Sequence, residues 1–462
     1  MRKMIFALFL PLFIIGYATA QDLKYLVYDA DLSPPEEYRA RRISLMNSLE
    51  PGSAAVFYAA PEHTRSNDTE FQYRQNNDFY YFTGFQEPSA ILILSANGIS
   101  AATIGDSSGG AAKEILFVMK KDKRRETWSG RLFGPQGAKE ATKIAYATTN
   151  DKFADAFASL VSTSSKIYVP KLPQDLHGTM KQLLKPVEDF LRENTDTVRV
   201  GDPTKKVREM RSVKSLEEIR LIRKATDISL LAHREAMKEC KPTMFEYQLQ
   251  AVYESAFKKK GAEYTAYPCI VGSGENSVIL HYNTSRRQMR SGDVVVADCG
   301  AEYHNYATDI TRTYPINGKF SQAQREIYEI VYQAQEAAFK EIKPGVPFSN
   351  ASRRATEVIR DGLLRLGIIK DSAAVRRYFP HGLGHAVGLD VHDPGIPVLE
   401  PNVIYTVEPG IYIPEDSPDV DPKYFNIGIR IEDMVLVTND GYELLSASLP
   451  RTIRDIEQLM EK

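Results

Sequence analysis

The sequence predicts two domains, an α/β layer domain over about residues 22–200 and an α+β domain over about residues 205–462. Three observations carry this. Strand-like apolar runs alternate with helical stretches in the first half, as in a layered α/β domain. Gly201-Asp202-Pro203 reads as a turn that breaks the chain, and a capped helix follows it. Six of the eight histidines, and the acids that cluster at strand ends, lie beyond that break.

The first twenty residues stand apart. Arg2 and Lys3 precede an apolar run over residues 4–15, and Ala18-Thr19-Ala20 gives a small-x-small pattern before Gln21. This predicts a secretory signal peptide cleaved near Ala20/Gln21, too short in its apolar part to make a convincing membrane anchor, the alternative being an uncleaved anchor. A periplasmic or secreted protein is expected. In the α/β domain, strands are expected at residues 54–59, 90–94, 114–119 and 166–169, and helices at 36–49, 151–159 and 179–193. This half holds only two histidines, His63 and His177, and no clustered acids at strand ends, so no catalytic constellation is expected there. After the break, Ser215-Leu-Glu-Glu218 has capping-box form and opens a helix over 216–239, with apolar residues at helical spacing. Further helices are expected at 244–260 and 321–342, with strands at 293–298 and 306–315.

Composition excludes several classes. With 26% charged residues, 43% apolar residues and a formal net charge of −2, the chain has the balance of an ordinary globular protein. No bulk positive field favours nucleic acid, and no such partner is expected. Three cysteines are too few for a disulfide framework in an exported chain, so a large buried core must carry stability and no disulfide is expected.

The chemistry lies in five acids and histidines. Val294-Val-Val-Ala-Asp298 is an apolar strand ending in a carboxylate, and Asp309 follows inside the β-rich run 306–314. Two antiparallel strands would bring both aspartates together. His381-Gly-Leu-Gly-His385 adds two imidazoles with flanking glycines. Glu408 ends an apolar strand stopped by Pro409-Gly410, and Glu432 sits among β-branched residues. Singly, each has a bland reading: a turn-capping aspartate, an Arg430–Glu432 ion pair, a core histidine. Together, four acids in apolar frames need positive charge. Oxygen-rich ligation with one imidazole favours Mn²⁺, Co²⁺ or Zn²⁺, and bridging carboxylates between two ions would use all four acids.

A family resemblance enters on these and further motifs. Gly272-Ser-Gly-Glu-Asn276, Leu280-His-Tyr282, Asp298-Cys-Gly300, Thr308-Asp-Ile-Thr-Arg312, His381-Gly-Leu-Gly-His385, Val391-His-Asp393, Val407-Glu-Pro-Gly410 and Gly428-Ile-Arg-Ile-Glu432 resemble the pita-bread metallopeptidases. Pro51-Gly-Ser-Ala-Ala55, Tyr73-Arg-Gln-Asn76 and the 78–85 segment are similar to the N-terminal domain of bacterial aminopeptidase P, the Xaa-Pro aminopeptidases. The resemblance covers nearly the whole mature chain. It implies an N-terminal α/β domain of creatinase/prolidase type and an α+β pita-bread catalytic domain. It implies Asp298, Asp309, His385, Glu408 and Glu432 as ligands of two divalent ions, usually manganese, with Asp309 and Glu432 bridging. Glu408 would handle the nucleophile's proton, and His281 and His392 would steady substrate and oxyanion. His381 would line the proline pocket, and Arg430 and Tyr267 would orient Asp298. Trp128 matches a tryptophan that reaches a neighbouring subunit, the alternative being ordinary packing. The implied substrates are peptides with proline in second position, and a homo-oligomer, dimer or tetramer, is expected.

Two positions depart from the family pattern: Cys299 stands where alanine is common, and Ala386 replaces a bulky aromatic. Neither removes a ligand. Prolidase is the nearest rival, sharing the metal site but cleaving only dipeptides. Methionine aminopeptidase lacks such an N-terminal domain, and creatinase lacks this ligand set. An inactive peptide-binding module would have lost ligands, and a two-metal phosphoesterase would show a phosphate cradle.

Overall fold

β1 (Ser53–Tyr58) opens the first sheet with six residues that are all buried, which requires cover on both faces. A computed structural model describes residues 26–105, 109–193 and 198–461; the expected signal peptide and its cleavage point lie outside them. The chain divides between residues 206 and 207 into two compact units. After β1 come the small hairpin β2 (Thr64–Ser66) and β3 (Thr69–Glu70), then β4 (Ile91–Ser100), β5 (Ala111–Val118), β6 (Tyr146–Thr149), β7 (Lys166–Tyr168) and β8 (Arg199–Gly201). Six of these form a mixed sheet in the order β6-β5-β4-β1-β7-β8. The helices Phe153–Thr163 and Gly178–Glu193 share a buried apolar cluster with one face of it, through Val56, Ile93, Phe117, Phe157 and Phe190. Phe57, on the alternate face, meets Phe82 with ring centroids 4.7 Å apart. β4 runs past the expected residue 94. An irregularity around Gly98, at φ +75°, lets Ile99 pair again with Ala112.

In the second unit the helix Leu216–Glu239 has the predicted bounds, and its capping box forms: Glu218 N donates to Ser215 Oγ at 3.2 Å and Ser215 N to Glu218 Oε2 at 3.0 Å. The helix Gln322–Phe339 stops three residues short of the expected end. The strands are β9 (Tyr264–Thr265), β10 (Ile270–Ser273), β11 (Val294–Asp298), β12 (Ala301–Tyr303), β13 (Tyr306–Ala307), β14 (Thr311–Pro315), β15 (Ile404–Val407), β16 (Gly410–Ile413), β17 (Ile427–Arg430), β18 (Asp433–Val437) and β19 (Tyr442–Leu444). They form short antiparallel sheets, β10-β11-β14, β13-β12-β9, β15-β18-β19 and β16-β17.

Interruption of these ladders is the main departure from the sequence expectation. The strand expected over 306–315 breaks into β13 and β14, leaving Thr308-Asp309-Ile310 between them. Pro409-Gly410 does not stop the chain's extended course: β15 gives way to β16 within two residues, and β17 to β18 likewise. Only Asp298 lies within a strand. Asp309, Glu408 and Glu432 each sit in a gap, where the backbone is released from regular pairing and the side chain turns toward a common point.

Candidate metal centre

Asp298 is the last residue of β11 and pairs in register with Thr311 of β14. Gly300 lets the chain fold back: a Cβ there would lie 1.9 Å from the Thr308 carbonyl oxygen. That approach sets Asp309 beside Asp298, and one phenol touches both, with Tyr267 Oη 2.5 Å from Asp298 Oδ1 and 2.6 Å from Asp309 Oδ1. A phenol has one proton, so two ionised carboxylates cannot both receive it.

His385 arrives on a loop held against β15. Its N–H donates to Thr406 Oγ1 at 3.0 Å, and a Cβ at the preceding Gly384 would lie 2.1 Å from the Thr406 carbonyl oxygen. At Gly382, by contrast, a Cβ would meet nothing. His385 Nδ1 donates to the Ala386 carbonyl at 3.2 Å, which leaves the Nε2 lone pair facing Asp309 Oδ2 at 3.4 Å and Glu408 Oε1 at 3.5 Å. Ligand atoms of Asp309, His385 and Glu432 all lie within 4.8 Å of one another.

Charge is out of balance at this point. Burial raises the pKa of Asp309 well above the carboxylate range, and Asp298 and Glu408 push it further. Burial does the same to Glu408, reinforced by Glu432, and to Glu432, reinforced by Asp309 and Asp298. The neighbouring guanidinium, Arg430, donates through Nη2 to Asp298 Oδ2 at 2.7 Å. One fixed cation against four acids leaves a deficit that divalent metal would fill, so the donor set fits a divalent-metal centre. The five ligand candidates, together with His281, His381, His392 and Arg430, line a single cavity of about 280 Å³. A second cavity, about 350 Å³, shares His281, Asp298, Asp309 and His392 and is walled by Tyr267, Pro268, Ile270 and Val391.

Two histidines of the cavity, His381 and His392, are shifted toward the neutral form. Burial, then Arg430, brings His381 down to about 4. Its Nδ1 donates to the Gly382 carbonyl at 2.8 Å, and its Nε2 accepts from Tyr412 Oη at 2.9 Å. His392 lies with its ring centroid 4.0 Å from that of His385, and burial followed by His385 and His281 lowers its pKa.

Several contributors carry no sequence signal of chemistry. Thr311 Oγ1 donates to Glu432 Oε2 at 2.6 Å, and Arg430 Nη1 donates to Tyr412 Oη at 3.0 Å. Met434 Sδ accepts from Thr308 Oγ1 at 3.1 Å and from the Asp309 amide at 3.3 Å. Of these, Thr311 and Tyr412 are marked only by a hydroxyl at a buried strand position. Cys240, Cys269 and Cys299 are buried free thiols. Trp128 is 84% exposed on a helix with no buried residue, so ordinary packing does not explain it within its own unit.

Comparison with known proteins follows the same lines. Residues 38–168 match the aminopeptidase P N-terminal domain, and residues 220–439 match metallopeptidase family M24. The Xaa-Pro aminopeptidase of Escherichia coli (strain K12) is 40% identical over 440 residues, spanning 92% of this chain and 97% of that protein. The Xaa-Pro aminopeptidase of Haemophilus influenzae is 37% identical, spanning 94% of this chain and 99% of its own. The solved structure of E. coli aminopeptidase P with the inhibitor Pro-Leu superposes with a TM-score of 0.84 at 39% identity, covering 93% of this chain and 99% of that one. With this coverage, and with an aminopeptidase P N-terminal domain ahead of a pita-bread catalytic domain, the chain belongs to metallopeptidase family M24.

Proposed function

We propose that the protein is an exported Xaa-Pro aminopeptidase, hydrolysing the N-terminal Xaa-Pro bond of peptides at a two-metal site. The observation that carries the reading is the convergence of Asp309, His385 and Glu432 within 4.8 Å, in a cavity whose acids exceed its fixed cations. The near full-length likeness to proteins named Xaa-Pro aminopeptidase supports the substrate class. Asp298, Asp309, His385, Glu408 and Glu432 would hold two ions, with manganese preferred and cobalt or zinc accepted. Bound there, such a pair supplies Lewis acidity and makes water a nucleophile near neutral pH.

The chain's own residues do the rest. Glu408 takes the nucleophile's proton and returns it to the leaving proline nitrogen. His281 and His392 orient the scissile carbonyl and donate to its developing oxyanion. His381, held by Tyr412, lines the pocket for the proline ring. Arg430 and Tyr267 fix Asp298. Trp128 would serve a neighbouring subunit in a dimer or tetramer, and the signal sequence would direct the protein to the periplasm or outside the cell. Among the described residues no helix is long and apolar enough to cross a membrane.

Hydrolysis of Arg-Pro-Pro and of Ala-Pro by metal-stripped protein, with and without Mn²⁺, tests the reading. Mn²⁺-dependent release of arginine from the tripeptide supports it. Cleavage of the dipeptide alone makes the protein a prolidase.

A further inference from the structure

Gln335 lies on the helix Gln322–Phe339, within the stripe formed by Ile327, Tyr328, Val331, Ala334 and Ala338, and like them is fully buried. A polar residue in an apolar stripe must find partners. Those of Gln335 are unusual in where they sit. Its Nε2, which carries two hydrogens, lies 2.9 Å from the Val407 carbonyl oxygen, 3.1 Å from the Ile431 carbonyl oxygen and 2.9 Å from Asp433 Oδ2, so one hydrogen is shared between two acceptors. Val407 immediately precedes Glu408, and Ile431 immediately precedes Glu432. Its Oε1 accepts from Arg451 Nη1 at 2.9 Å, which fixes the amide with its N–H groups toward the two carbonyls.

The two strands leave regular pairing at this level. Val407 pairs with Asp433 and Gly410 with Arg430, so residues 408–409 and 431–432 face each other without a ladder register. The helix amide ties both strands at the residue before each glutamate. We propose that Gln335 is a positioning residue whose amide sets the spacing of Glu408 and Glu432 for metal binding. The inference rests on the two-metal reading above. It assigns no contact with substrate.

The test uses the full chain, stripped of metal and titrated with Mn²⁺ by calorimetry. Gln335→Met keeps length and removes the donors; Gln335→Glu keeps shape and turns the donors into acceptors. Thr226→Val is the control, since Thr226 Oγ1 donates only within its own helix, to the Ile222 carbonyl at 2.8 Å. Thermal melts of the metal-free proteins run alongside. The expected result is Mn²⁺ affinity weaker by about tenfold or more in both Gln335 variants, in the range set by residues that orient ligands, with the control unchanged. A smaller change, with only the melt lowered, overturns the proposal and returns Gln335 to the core. Failure of both variants to fold does the same. If the wild-type chain takes up no Mn²⁺, the two-metal reading itself falls, a different outcome from equal binding by wild type and variants.

Discussion

Glu408 and Glu432 occupy the same interruption of one antiparallel ribbon, each entering the site from a two-residue gap between paired segments. On one side of the gap Val407 faces Asp433, and on the other Gly410 faces Arg430. Pro409 contributes by lacking an N–H for the ladder. The gap converts two strands that would alternate side chains in and out into two acids aimed at one place.

Asp309→Asn should abolish most activity while the fold persists. Asp309 lies within 3.4 Å of His385 Nε2 and shares the Tyr267 phenol with Asp298, so it stands at the centre of the acid group. The loss should exceed the 10–100-fold typical of residues that merely orient ligands. Initial rates at saturating Mn²⁺, with a circular dichroism spectrum as the fold control, decide this. Activity near wild type would remove Asp309 from the site.

Tyr267→Phe should lower Mn²⁺ affinity by about 10–100-fold with little effect on folding. The phenol lies within hydrogen-bond reach of both Asp298 and Asp309 and gives its one proton to either, and the ring body is retained in the variant. Titration of the metal-free variant by calorimetry gives the number.

Arg312→Met should destabilise the second unit by about 3–5 kcal/mol. Arg312 Nη2 donates to Asp433 Oδ1 at 2.6 Å with both side chains fully buried, and Nη1 donates to the Glu432 carbonyl at 2.6 Å. Removing the guanidinium leaves a buried carboxylate with, among the described residues, only the neutral donors Ser446 and Gln335 in direct contact and Arg451 Nε at 3.8 Å. Equilibrium denaturation in urea measures the loss; a change below about 1 kcal/mol, ordinary for surface positions, would count against the pair.

Glu87 should make the first unit less stable as pH rises from about 4.5 to 7. Burial raises its pKa from 4.5 to about 7, its Oε1 accepts from Phe133 N at 2.7 Å, and its Oε2 is buried with no hydrogen-bond partner among the described residues. The folded state therefore holds a proton the unfolded state has released. The stabilisation is complete below about pH 4.5 and gone above about 7, at most about 3 kcal/mol. Melting curves of wild type and Glu87→Gln across this range should differ in slope. Parallel pH profiles would show that Glu87 titrates normally.

Much of the molecule was legible in the chain. The helix at 216–239 was announced by its capping box and apolar period, and β1, β5 and β7 by continuous apolar runs with turns around them. The five ligand candidates stood out as acids and histidines in apolar frames, and the structure gathers them around one cavity. The geometry that gathers them was less legible. Alternation predicts strands, and it placed Asp309 and Glu432 inside them. What withdraws them from pairing is contact with distant segments, such as the Thr308 carbonyl over Gly300 and the Glu432 amide on the Thr311 carbonyl at 3.1 Å. Gln335 was unreadable for a related reason. A glutamine on an amphipathic helix looks like a solvent-facing residue until the facing carbonyls are known.

The most direct test of the central claim is the product released from Arg-Pro-Pro by metal-free protein as Mn²⁺ is added. Free arginine and Pro-Pro should appear only with the metal and rise to saturation as the site fills. Metal-independent cleavage, release of Arg-Pro, or an uncleaved tripeptide at saturating Mn²⁺ would contradict the assignment.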